Sequence, residues 1–93
     1  MKKWEKLAIQ KLRELATSHK LSFSVQERQV IAVFFADFSM ARYQFFKSKD
    51  GYKINVKLVN PDGKTRKTYK LYANDINDVL EKIINNTQML LSE

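Results

Sequence analysis

The stretch from Tyr52 to Ala73, YKINVKLVNPDGKTRKTYKLYA, constrains this chain most: two alternating runs meet at Asn60-Pro61-Asp62-Gly63 and must fold back on each other. In the first run Tyr52, Ile54, Val56 and Leu58 alternate with Lys53, Asn55 and Lys57, the period of a strand with one buried face. In the second, Tyr69, Leu71 and Ala73 alternate with Arg66, Thr68, Lys70 and Tyr72. Two registers compete. A three-residue loop ending in a Gly63 bulge sets Asn60 against Lys64 and Ile54 against Lys70, so that apolar residues of each arm oppose charges of the other. A four-residue loop, with Val59 opposite Lys64, sets Ile54 beside Tyr69 and Tyr52 beside Leu71. The second register is expected, because a one-residue slip exposes a whole apolar row. Lys53, Lys57, Lys64, Arg66 and Lys70 then share the outward face.

Amphipathic helices are expected at both ends of the chain. Near the start Trp4, Leu7, Ala8, Leu12, Leu15 and Ala16 recur at helical spacing, ending near Thr17-Ser18-His19-Lys20. Near the end Ile76, Val79, Leu80, Ile83, Ile84 and Leu90 form a second stripe, with Asn74 or Asp75 as N-cap and Asp78 placing negative charge in the first turn. From Met40 on, Ala41, Tyr43 and Phe45 face inward while Arg42, Gln44 and Phe46 face outward, up to a turn at Ser48-Lys49-Asp50-Gly51.

Residues 21 to 41 admit two readings. Leu21, Phe23 and Val25 alternate with serines and a glutamine, and Gln29 to Ala36 is rich in β-branched and aromatic residues, which favours two strands. Ser24 to Glu27 also fits a capping box, Val30, Ile31, Phe34, Phe35 and Phe38 also fit helical spacing, and no Gly, Pro or Asn marks a turn between residues 21 and 47. With two strands preferred, the expected fold is α+β: one domain over residues 1–93, an antiparallel meander of three to five strands, and N- and C-terminal helices packed on one face.

Charge is segregated along the chain. Residues 42 to 72 hold nine cations against two acids, whereas residues 73 to 93 hold Lys82 against Asp75, Asp78, Glu81 and Glu93; the whole chain is +7. Such segregation is the footprint of a face for a polyanion, while lysine-rich sheets also resist aggregation. The absence of cysteine removes disulfides and thiolate ligands, and neither an export signal nor an apolar run of membrane-spanning length is found, so a cytoplasmic protein without membrane contact is expected.

Catalysis has little to stand on. His19 is the only histidine and sits where a helix-end dipole partner is expected; Asp75 and Asp78 suit capping; Gly51 and Gly63 both fall in turns, so no phosphate-binding glycine loop exists. No metal site, no cofactor and no enzymatic activity are expected. The binding reading rests on Arg42, Phe46, Lys53, Asn55, Lys57, Lys64, Arg66, Lys70 and Tyr72: cations for phosphates, Phe46 and Tyr72 as flat surfaces for unpaired bases, and Asn55, Arg66 or Lys70 as readers of base edges in a groove. The expected partner is a nucleic acid, DNA or RNA. The alternative is an acidic protein docked on the same face by an interaction module or inhibitor, and a homodimer through an exposed sheet edge is compatible with either.

The order helix, meander, helix is similar to the double-stranded-RNA-binding domain, although Asn74-Asp75-Ile76-Asn77-Asp78 stands where that family's last helix opens with basic residues. Gly51 to Ile84, about a third of the chain, resembles the sheet-based DNA-binding modules of phage integrases in its strand, Asp-Gly-Lys turn, basic strand and helix. Both resemblances imply a nucleic-acid partner and assign no residue a role.

Overall fold

The computed structural model describes residues 1–93 as α1 (Lys3–Ser18), β1 (Leu21–Gln26), β2 (Val30–Phe35), β3 (Met40–Ser48), β4 (Gly51–Val59), β5 (Thr65–Ala73) and α2 (Ile76–Leu91). The strands form one antiparallel sheet in the order β1-β2-β3-β4-β5, a pure meander. Residues 21 to 41 are two strands, as their composition favoured. Both helices lie on one face of the sheet, α1 toward β1 and α2 across β3 to β5, and they touch each other. Neither is long and apolar enough to cross a membrane.

The core is the layer between helices and sheet. Trp4, Ala8, Leu12, Val79, Leu80 and Ile83 meet Ile31, Val33, Ala41, Tyr43, Phe45, Ile54, Val56 and Leu58. Each strand contributes every second residue, and each helix the stripe its spacing predicts. Trp4 stands edge-on to Phe45 with ring centroids 5.1 Å apart. At α2 the N-cap is Asp75, whose Oδ1 accepts the Asp78 amide at 2.8 Å, and Asp78 Oδ2 in turn accepts the Asn74 amide at 2.9 Å. That second bond holds the Asp78 carboxyl below the usual carboxylate range.

Two polar residues of α2, Asn86 and Thr87, are buried among these apolar groups. They belong to a one-way chain of hydrogen bonds. Tyr69 Oη donates to Asn86 Oδ1 (2.9 Å), Asn86 Nδ2 donates to Tyr43 Oη (3.0 Å), Tyr43 Oη pairs with Thr87 Oγ1 (2.9 Å), and Thr87 Oγ1 donates to the Ile83 carbonyl (2.8 Å). Because the single Thr87 proton goes to Ile83, the Tyr43 hydroxyl must donate to Thr87. Burial also raises the Tyr43 pKa, which keeps the phenol protonated and able to donate.

The β4–β5 register departs from the four-residue loop expected. The Asn60 amide donates to the Lys64 carbonyl and the Gly63 amide to the Asn60 carbonyl, both at 2.9 Å, with Gly63 at φ +87°: this is the three-residue loop with a Gly bulge. Val59 faces Thr65, and then the ladder shifts, so that Leu58 faces Lys67 and Arg66 has no partner. Beyond the shift Val56 faces Tyr69, Ile54 faces Leu71 and Tyr52 faces Ala73. Turn chemistry and face matching compete by one residue, and the extra residue at Arg66 satisfies both.

The same loop recurs twice where no glycine announces it. Gln26 pairs with Val30 across Glu27-Arg28-Gln29, with Gln29 at φ +62°. Across Ala36-Asp37-Phe38 the Phe35 amide bonds the Ser39 carbonyl (2.9 Å) and the Phe38 amide bonds the Phe35 carbonyl (3.0 Å), with Phe38 at φ +70°. Asp37 accepts the Ser39 amide and Asp62 the Lys64 amide, each at 2.9 Å, so these two loops match bond for bond. Phe38 therefore occupies the left-handed position that Gly63 fills in its counterpart, and it is 85% exposed. A bulky residue is strained there by about 1 kcal/mol or more.

Two stability measurements follow. Phe38→Gly should melt at the same or a higher denaturant concentration, gaining up to about 1 kcal/mol, while Gly63→Ala should lose about 1 kcal/mol although its new Cβ meets nothing within 4 Å. A clear loss in Phe38→Gly would show that the ring contributes to the fold. Tyr43→Phe deletes one oxygen and strands Asn86 Nδ2 in the core, so chemical denaturation should show a loss of about 1 to 3 kcal/mol; an unchanged midpoint would mean the buried chain does not hold α2.

Candidate nucleic-acid interface

With both helices on one side, the other face of the sheet is bare, and the registers arrange its side chains in four rows across the strands. At one end Phe46, Lys53 and Tyr72 stand side by side on β3, β4 and β5. The next row is Gln26, Val30, Gln44, Asn55 and Lys70, followed by Ser24, Ala32, Arg42, Lys57 and Thr68. The last is Ser22, Phe34, Met40, Val59 and Thr65. Rows two residues apart on a strand are about 6.7 Å apart, so the face is about 20 Å deep along the strands.

The chemistry of this face is one-sided. All ten acidic residues lie in helices, loops or at chain ends, and no strand contains one. Arg42, Lys53, Lys57 and Lys70 stand on the open face in adjoining rows, unopposed by any carboxylate there. Between β1 and β3 the face is apolar instead: Val30 and Ala32 are buried, and Phe34 is half exposed. Arg42 Nη1 donates to Gln44 Oε1 at 3.3 Å, tying the second and third rows together.

Seven of the nine residues picked out from the sequence are thus brought together: Arg42, Phe46, Lys53, Asn55, Lys57, Lys70 and Tyr72. The row of Phe46 and Tyr72, 41% and 65% exposed, sets Lys53 between two aromatic rings. Asn55 lies at the centre, between Gln44 and Lys70, and its Oδ1 is shielded from solvent without a hydrogen-bond partner.

Lys64 and Arg66 are elsewhere, contrary to the expected shared face. Lys64 closes the β4–β5 loop, beyond the rows. Arg66, displaced by the ladder shift, reaches to the helix side, where its guanidinium lies 3.8 Å from a carboxylate oxygen of Glu93, just past α2. Both partners of that pair are more than half exposed, so it contributes little to stability. Lys67, outside the expected set, also turns to the helix side, with Nζ 5.4 Å from the centre of the Tyr69 ring.

Other features are accounted for by structure. His19 Nδ1 lies 3.3 Å from the Leu15 carbonyl at the end of α1, and Asp75 and Asp78 are occupied in capping α2. A cleft of ≈ 430 Å³ at the loop end of the sheet is lined by Phe35, Asp37, Met40, Asn60, Arg66, Leu90 and Glu93, among others. Its charged groups are of both signs, and Arg66 lies against Glu93 within it.

Phe34 and Met40 are members of the open face that the sequence reading left out. Counting back by twos from Arg42 reaches Met40, but Phe34 requires the Phe38 loop to be placed first. No protein-family model, no curated protein and no solved structure matches this chain.

Proposed function

We propose that this chain binds single-stranded nucleic acid across the open face of the sheet, without catalysing a reaction on it. The observation that carries the reading is the exclusion of every acidic residue from the strands, together with four cations and two exposed aromatics on one face. Arg42, Lys53, Lys57 and Lys70 neutralise phosphates, and Phe46 and Tyr72 stack on unpaired bases on either side of Lys53. Single strands are favoured over a duplex because stacking needs a base free of its partner, and the aromatic row is built for it. Asn55, between Gln44 and Lys70, is the residue we assign to a base edge, through its Nδ2 amide because its Oδ1 is shielded.

The cations set the salt dependence. With four of them on the face, log affinity for a single-stranded oligonucleotide should fall against log salt with a slope of about −3. Fluorescence anisotropy over a salt series measures it, and a flat response would remove phosphate contact from the account.

The aromatics separate this reading from docking of an acidic protein. Phe46→Leu with Tyr72→Leu keeps apolar bulk but deletes both flat faces, so single-strand affinity should fall by up to a few kcal/mol, at about 1 to 3 per stacked base, with an unchanged circular dichroism spectrum. Undiminished affinity would make the aromatics structural and leave the basic face to phosphate contact alone or to an acidic protein.

A further inference from the structure

The two free edges of the sheet differ. β5 carries Arg66, Lys67 and Lys70, and two such edges repel each other. β1, LSFSVQ, has no charged residue, no proline and no bulge over its six residues, so none of the usual devices against edge pairing is present. As an edge strand it leaves every second backbone N–H and C=O without a ladder partner. Its core-facing residues Leu21, Phe23 and Val25 are packed against the core yet remain only partly buried.

We propose that two copies of this chain associate through β1, antiparallel and edge to edge, to form one continuous ten-stranded sheet. The strand is self-complementary about Phe23. A two-fold axis there pairs Leu21 with Val25 and Ser22 with Ser24 of the second copy, so apolar groups meet on the helix side and hydroxyls on the open side. Continued outward, the register brings His19 of one copy toward Glu27 of the other, and no like charges oppose each other. The axis is normal to the sheet, so both basic faces point the same way. A single pair of six-residue strands buries little surface, and the association is therefore weak and concentration-dependent.

Sedimentation velocity on the full chain between roughly 10 μM and 1 mM tests this, since weak homodimers populate in that range. The expected result is a reversible shift from monomer to dimer. Ser24→Lys and Ser22→Lys place a charge on the open side of the edge, away from the core, and each should weaken association on the order of tenfold or more with an unchanged circular dichroism spectrum. Thr68→Lys on β5 should leave it unchanged. A chain that stays monomeric throughout would overturn the proposal and leave the edge for a strand of another protein. Dimers that persist in both serine variants, or that Thr68→Lys dissolves, would also overturn it by placing the contact on another surface. None of these outcomes depends on nucleic acid, so they stand apart from the test of the open face.

Discussion

The open face exists because both helices cover the other one, and α2 is fixed there by the buried hydroxyl of Tyr43. Apolar stripes supply most of the burial, but their non-directional contacts let a helix adjust by small shifts. A directed chain of hydrogen bonds from Tyr69 through Asn86, Tyr43 and Thr87 to the Ile83 carbonyl does not, because each displacement leaves a polar group unpaired in the core. The chain joins β5, β3 and α2 on the side that the apolar alternation of both strands turns inward. Arg42, Lys53, Lys57 and Lys70 are on the outside by consequence.

The ladder shift at Arg66 is the second half of the same constraint. The Asn-Pro-Asp-Gly loop favours one alignment of β4 and β5, and the faces demand another, one residue away. Without the extra residue, Thr68, Lys70 and Tyr72 would all turn inward, and Tyr69 could not reach Asn86. The displaced Arg66 is drawn away from the cation face toward Glu93. A single irregularity thus keeps the buried chain intact and decides which cations remain on the open face.

Much of this was legible in the residues. Period-two alternation identified the meander from Met40 onward and assigned seven face residues correctly, since alternation survives any shift of two. Loops were harder. Gln29 and Phe38 occupy left-handed positions normally marked by Gly or Asn, so the β1–β2 and β2–β3 connections carried no signal. Register failed where two local preferences were weighed as exclusive, whereas a bulge accommodates both. Asn86 and Thr87 are not among the apolar residues of the stripe by which α2 was recognised, so nothing in the helix itself singled them out. The signal that could have found them lay on the strands: Tyr43 and Tyr69 point inward, and a buried phenol needs a partner.

The central claim is that the two sides of this sheet are divided between core and ligand, and backbone amide NMR during titration with a short single-stranded oligonucleotide tests it most directly. The account predicts that the largest shift changes fall on Arg42, Phe46, Lys53, Asn55, Lys57, Lys70 and Tyr72, with the amides of α1 and α2 nearly still. Changes concentrated on the helices, or around Arg66 and Glu93 at the loop end, would contradict it.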